Sequence, residues 1–101
     1  MKEVKELSRA FQALANPNRL QIFLNLLGQS EPYLAEGKVH DCFLVSLLGN
    51  MKIGAPTVSH HIKELVGAGL IETHKEGKHL ACTINPEMVD RLRALLGTRR
   101  S

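Results

Sequence analysis

No apolar run reaches the roughly 18 residues that a membrane-crossing helix needs, and the longest apolar stretches, FLNLLG and CFLVSLLG, fall far short. The N-terminus, MKEVKELSRA, is charged where a signal peptide requires an apolar core, so a cytoplasmic protein with no membrane partner is expected. Cysteine is scarce. Cys42 and Cys82 stand far apart and form no CxxC pair, which excludes a disulfide scaffold and a zinc ribbon and predicts two thiols in a reducing compartment. There is no Gly-rich phosphate loop and no Gly-x-Ser-x-Gly elbow. His60 and His61 are neighbours, and on a helix their side chains point about 100° apart rather than at one ligand. Nothing assembles an active site, so no enzyme is expected. Charge is also modest, since a formal net charge of +3 and a pI near 9.1 are compatible with nucleic acid without establishing it.

What remains is 101 residues with 44% hydrophobic composition, enough for a single domain over residues 1–101. A chain this short has a thin core unless it pairs, so a homodimer is expected on size alone. Val4, Leu7, Phe11 and Leu14 recur at helical steps and predict a first helix ending at Asn16-Pro17. Asn16 as cap and Pro17 in the first turn then predict a second helix, through Arg19, Leu20, Ile22, Phe23, Leu26 and Leu27 to Gly28. Residues 28–38, GQSEPYLAEGK, read as a long loop, and loops of that length in small domains are more often functional than idle. Tyr33 and His40 are candidates for a lid or ligand site there. A short strand within residues 41–45 and a helix from Ser46 through Met51 follow.

The stretch APTVSHHIKELVGAGLIETHKEGKHLACTINP carries the sharpest signal. Pro56 suits the first turn of a helix over 55–67. Val58, Ile62 and Leu65 fall on one side, and Ser59, His60 and Lys63 face away, flanked by Thr57 and Glu64. Gly67 and Gly69 end the helix, and two strands over 70–84 form a hairpin through Lys75-Glu76-Gly77-Lys78. Pro86 opens a last helix with Met88 or Val89, Leu92, Leu95 and Leu96 as an apolar stripe, and with Arg91, Arg93, Arg99 and Arg100 as added charge. The expected fold is mainly α with a small β-hairpin: a winged helix-turn-helix of about five helices plus wing.

LSRAFQALANPNRLQIFLNLL followed by PTVSHHIKELVGAGLIETHKEGKHLACTINPE resembles the ArsR-type metalloregulator and repressor family over about two-thirds of the chain. The resemblance implies a homodimer, joined through its first and last helices, that represses by holding double-stranded operator DNA and lets go when an inducer binds. It assigns Thr57, Ser59, His60 and Lys63 to the major groove and phosphates, and Lys75 and Lys78 to the wing. Hydroxyls, a neutral imidazole and ammonium groups suit base edges and phosphate. His61 borders the buried stripe and reads equally as a packing or backbone-anchoring residue and as a contact. From Thr57 to His79 the three lysines are balanced by Glu64, Glu72 and Glu76. Affinity therefore has to lean on Arg9, Arg19, the terminal arginines, dimer doubling or geometry. The competing reading is a winged-helix protein-interaction module without specific DNA binding.

The family's sensing sites do not carry over. Its CxC thiolates fall on Phe43 and Val45, and residues 86–101 hold no histidine, with Glu87 and Asp90 as the acids. Candidate sensing residues are Cys42, Cys82 and His40, because winged-helix topology pairs the short strand with the second wing strand. Three readings stay open: both cysteines as small core residues; a thiol switch answering an oxidant or persulfide; and a soft-metal site from Cys42, Cys82 and His40 or His79. No cofactor is otherwise implied.

Overall fold

The computed structural model describes residues 2–97, so the predicted charge at Arg99 and Arg100 lies outside the described residues. The helices are α1 (Lys2–Leu14), α2 (Pro17–Leu34), α3 (Leu44–Leu48), α4 (Ala55–Gly67) and α5 (Pro86–Leu96). The strands are β1 (Cys42–Phe43), β2 (Ile71–Glu76) and β3 (His79–Ile84), in one antiparallel sheet ordered β1-β3-β2. Five helices with a wing hairpin are what the residue pattern predicts.

Local chemistry explains the boundaries. Asn16 is extended and its side chain accepts a hydrogen bond from the Arg19 backbone N–H at 3.0 Å, with Pro17 in the first turn of α2. At the other end of α4, the Leu70 N–H reaches the Leu65 carbonyl at 3.1 Å and the Gly69 N–H reaches Val66 at 2.9 Å. This paired closure requires a left-handed residue, supplied by Gly69 at φ 76°. Asn85 then joins two elements. Its side-chain oxygen caps α5 by accepting from the Glu87 and Met88 N–H groups, and its side-chain amide nitrogen donates to the Gly69 carbonyl at 2.7 Å.

The second helix departs from the expected pattern. It does not stop at Gly28 but runs six residues further, so the predicted loop over 28–38 shrinks to the segment between Leu34 and Cys42. Ser30 and Leu34 continue the inward face begun by Phe23, Leu26 and Leu27. Ser30 is fully buried because its hydroxyl donates to the Leu26 carbonyl at 2.6 Å, which removes the cost of a polar atom in the core. Pro32 lies inside the helix and leaves the Gly28 carbonyl without an N–H donor, and Gly28 is exposed to water that can serve it. Tyr33 therefore belongs to the last turn of α2, where its ring stacks on His40 at 4.0 Å between centroids. The third helix also differs, starting at Leu44 and ending at Leu48, with Met51 beyond it packed against the core.

The core gathers Ala10, Ile22, Leu26, Leu47, Leu65, Leu70 and Ile84, drawn from most of the elements. The first helix contributes chiefly through Ala10 and Ala13, which are buried, while Leu7 and Leu14 are partly covered. Val4 and Phe11 of the predicted stripe stay exposed. No helix among the described residues is long and apolar enough to cross a membrane.

Candidate nucleic-acid interface

The fourth helix divides as its sequence predicts. Val58, Ile62 and Leu65 are buried, while Thr57, Ser59, His60 and Lys63 are exposed along one continuous face. No side chain caps its N-terminus, so the first-turn N–H groups remain available to an anion. His61 is settled by burial: it is 4% exposed, which removes it from the contact face. Its Nδ1 accepts from Arg19 Nη1 at 3.4 Å, since arginine can only donate, and this places the ring proton on Nε2, a buried atom without a protein partner. Burial, then the nearby Arg19 and His60, push the His61 pKa below the ordinary imidazole value. It is an anchoring residue held neutral, and its anchor is a side chain rather than backbone.

The wing strands pair from Ile71 opposite Ile84 to Glu76 opposite His79, leaving a two-residue connection at Gly77-Lys78. Gly77 takes φ 62°, the conformation that matches a tight hairpin to strand twist. Lys75 therefore lies in the strand rather than in the turn, while Lys78 is at the tip, and both are exposed. Among the described residues Lys63, Lys75 and Lys78 form no ion pair, whereas two of the acids that balanced them on paper are engaged elsewhere. Glu64 accepts from Arg9 Nη2 at 3.1 Å, and Glu76 lies 3.3 Å from His74 Nε2. Arg9 approaches over Gly67, where a Cβ would stand 3.2 Å from its guanidinium.

Cations expected to strengthen DNA affinity already have partners within the protein. Arg9 neutralises Glu64, Arg19 donates to the Ala13 carbonyl and His61, and Arg91 pairs with Glu6 at 3.1 Å. Sequence reasoning missed the Arg9–Glu64 pair because its partners are 55 positions apart, and no local spacing announces such a contact.

Cys42 and Cys82 are register partners in β1 and β3, so the expected approach occurs. Both are buried free thiols. Burial first, and the neighbouring Cys42 second, push Cys82 up to about 11; burial likewise raises Cys42. Protonated, enclosed thiols are poor nucleophiles and poor ligands. Among the described residues, Cys42 and Cys82 are not gathered with His40 or His79 into a three-ligand group. His40 stacks on Tyr33, and His79 turns its ring toward Phe43 at 5.5 Å. The metal-capable cluster among the described residues is instead Asp41, His74 and Glu76.

A helix pair whose second member exposes a polar face, followed by a basic-tipped hairpin, defines a winged helix-turn-helix regulator. The helix-turn-helix domain family matches residues 14–74. The arsenical resistance operon repressor of Staphylococcus xylosus is 35% identical over 86 residues, 85% of this chain and 72% of that protein. A solved ArsR family transcriptional regulator superposes with a TM-score of 0.68 at 27% identity, covering 91% of this chain and 89% of that one. A homodimeric winged helix-turn-helix DNA-binding domain from Mycobacterium bovis, a possible ArsR-family regulator, gives 0.68 at 26% identity over 95% of this chain and 79% of that one. The chain belongs to the ArsR-type winged helix-turn-helix family of transcription regulators. These relatives are regulators, not enzymes.

Proposed function

We propose that this protein is a cytoplasmic homodimeric repressor that grips double-stranded operator DNA with α4 and the wing and is released by an inducer. The observation that carries this reading is the exposed row Thr57, Ser59, His60 and Lys63 together with exposed Lys75 and Lys78, which form no ion pair among the described residues. Lysine ammonium groups meet phosphate as point charges, and the hydroxyl and imidazole groups serve base edges or backbone. Dimerisation through α1 and α5 is supported by exposed Val4, Phe11 and Leu96, by an apolar groove of about 380 Å³ lined by Phe23, Leu27, Val89 and Leu92, and by the homodimeric relative.

For the inducer, the residues on which an oxidant, a persulfide or a soft metal would act are Cys42 and Cys82. Their burial and raised pKa support a resting role as core thiols, so such chemistry requires the β1–β3 contact to open first. A mobility-shift titration with promoter DNA from the protein's own operon tests the DNA reading. Lys63→Ala and His60→Ala are each expected to weaken binding, with Lys63→Ala also lowering the salt dependence. Unchanged binding in both variants returns α4 to the status of a solvated or protein-binding face.

A further inference from the structure

Asp41, His74 and Glu76 meet on the outer face of the small sheet, and neither the core nor the DNA-facing set uses them. His74 and Glu76 are alternate residues of β2 and share a face. His74 is opposite Ala81 on β3, and Ala81 is opposite Phe43 on β1, so Asp41, two residues before Phe43, belongs to that face too. The single-carbon side chain of Ala81 lets groups from the flanking strands close over the middle one. His74 Nε2 stands 3.3 Å from Asp41 Oδ2 and 3.3 Å from Glu76 Oε1. The three candidate ligand atoms lie within 4.8 Å of one another. All three residues are exposed, so an ion reaches them without crossing the core.

Protein groups alone serve this arrangement poorly. One ring nitrogen donates at most one proton, yet two carboxylates converge on it, both beyond the roughly 2.7–2.9 Å of a charge-assisted hydrogen bond. A divalent cation satisfies all three at once. Zinc bonds to imidazole nitrogen and carboxylate oxygen are about 2.0–2.2 Å, and a tetrahedron of such bonds has edges of roughly 3.3–3.6 Å. The two nitrogen–oxygen separations match that edge at its short end. We propose that Asp41, His74 and Glu76 form a divalent-cation site for zinc or an ion of similar preference such as cobalt(II), with water completing the shell. One nitrogen and two oxygens suit such ions better than thiophilic ones. Cys82, next to Ala81 along β3, projects from the opposite face, so the site is separate from the thiols.

The ion would tie the segment leading into β1 to the wing strand β2 across β3. It would also neutralise Asp41 and Glu76, the latter next to Lys75 along β2. On the DNA-binding reading above, and for this step alone, the cation strengthens operator binding instead of releasing it.

Calorimetric titration with Zn2+ tests the site. The native chain is expected to take up one ion per protomer, and His74→Ala to weaken that step by at least about tenfold, since even outer-shell partners of metal ligands cost 10–100-fold. Glu76→Gln should lose affinity in the same direction, and His79→Ala should keep it. Circular dichroism checks that each variant is folded, and Co2+ loading should show d–d bands without thiolate charge transfer. No stoichiometric uptake by the native chain, uptake undiminished in His74→Ala, or a thiolate band overturns the site. Operator affinity with and without Zn2+ is then compared in native and His74→Ala protein, with a gain expected in the native protein alone. Uptake without that gain overturns the strengthening step and leaves the site standing, whereas DNA binding lost under every condition counts against the repressor reading.

Discussion

Two amphipathic regions of this molecule end in opposite ways. In α4 the apolar stripe is covered by the chain's own core: Leu65 is 0% exposed, and what faces water is polar. Along α1 and α5 the apolar pattern runs past what the core can cover, leaving Phe11 at 40% and Leu96 at 71% exposure. A covered stripe leaves a polar face free for a polar ligand, whereas an uncovered one needs another apolar surface to finish it. On the proposed function, the covered region is the one that reads DNA and the uncovered region is the one that joins two copies of the chain.

Breaking the joining region should produce the larger loss. Phe11→Glu combined with Leu96→Glu puts charge into the shared apolar face, and sedimentation should show monomers. Operator affinity should fall by roughly a hundredfold or more, because each 1.4 kcal/mol of lost second-half-site binding is about tenfold. A dimer that survives the double substitution would move the interface elsewhere.

The reading helix offers a sharper comparison at adjacent positions. Leu65→Ala removes a fully buried side chain and should destabilise the fold by about 2–5 kcal/mol in urea unfolding. Val66→Ala, at an exposed position, should cost no more than about 0.5 kcal/mol. Equal effects would mean that the buried stripe has been misplaced by one residue.

The smallest effect concerns pH. His61 has a lowered folded-state pKa, so the unfolded chain binds its proton more readily than the native one. The stability contributed by its neutral burial is fully present above the unfolded value of about 6.5 and is lost as pH falls through the folded pKa. Urea midpoints of the native protein should therefore decline below that pH more steeply than those of His61→Gln. Parallel profiles would show that His61 does not titrate differently in the two states.

Much of this contrast was legible in the chain. The Asn16-Pro17 start of α2, the division of α4, the hairpin and the Asn85-Pro86 start of α5 follow from side-chain chemistry acting within a few residues. The continuation of α2 was not legible, because Gly28 and Pro32 are breakers by propensity. Burial of Ser30 and Leu34 against the rest of the core overrides that propensity, and only the assembled core supplies it. The candidate interface was legible as a set of exposed residues but not as a charge balance. Counting lysines against glutamates over 57–79 gives zero, yet Arg9, from outside that span, pairs with one of those glutamates, Glu64.

The sequence alone determined the periodic faces, the caps and turns, and the family resemblance, since each depends on neighbours along the chain. Tertiary structure decided which cations are free, how deeply Cys42 and Cys82 are buried, and that Asp41 meets His74 and Glu76. Those outcomes depend on distances and dielectric surroundings that exist only once segments far apart in the chain are packed together.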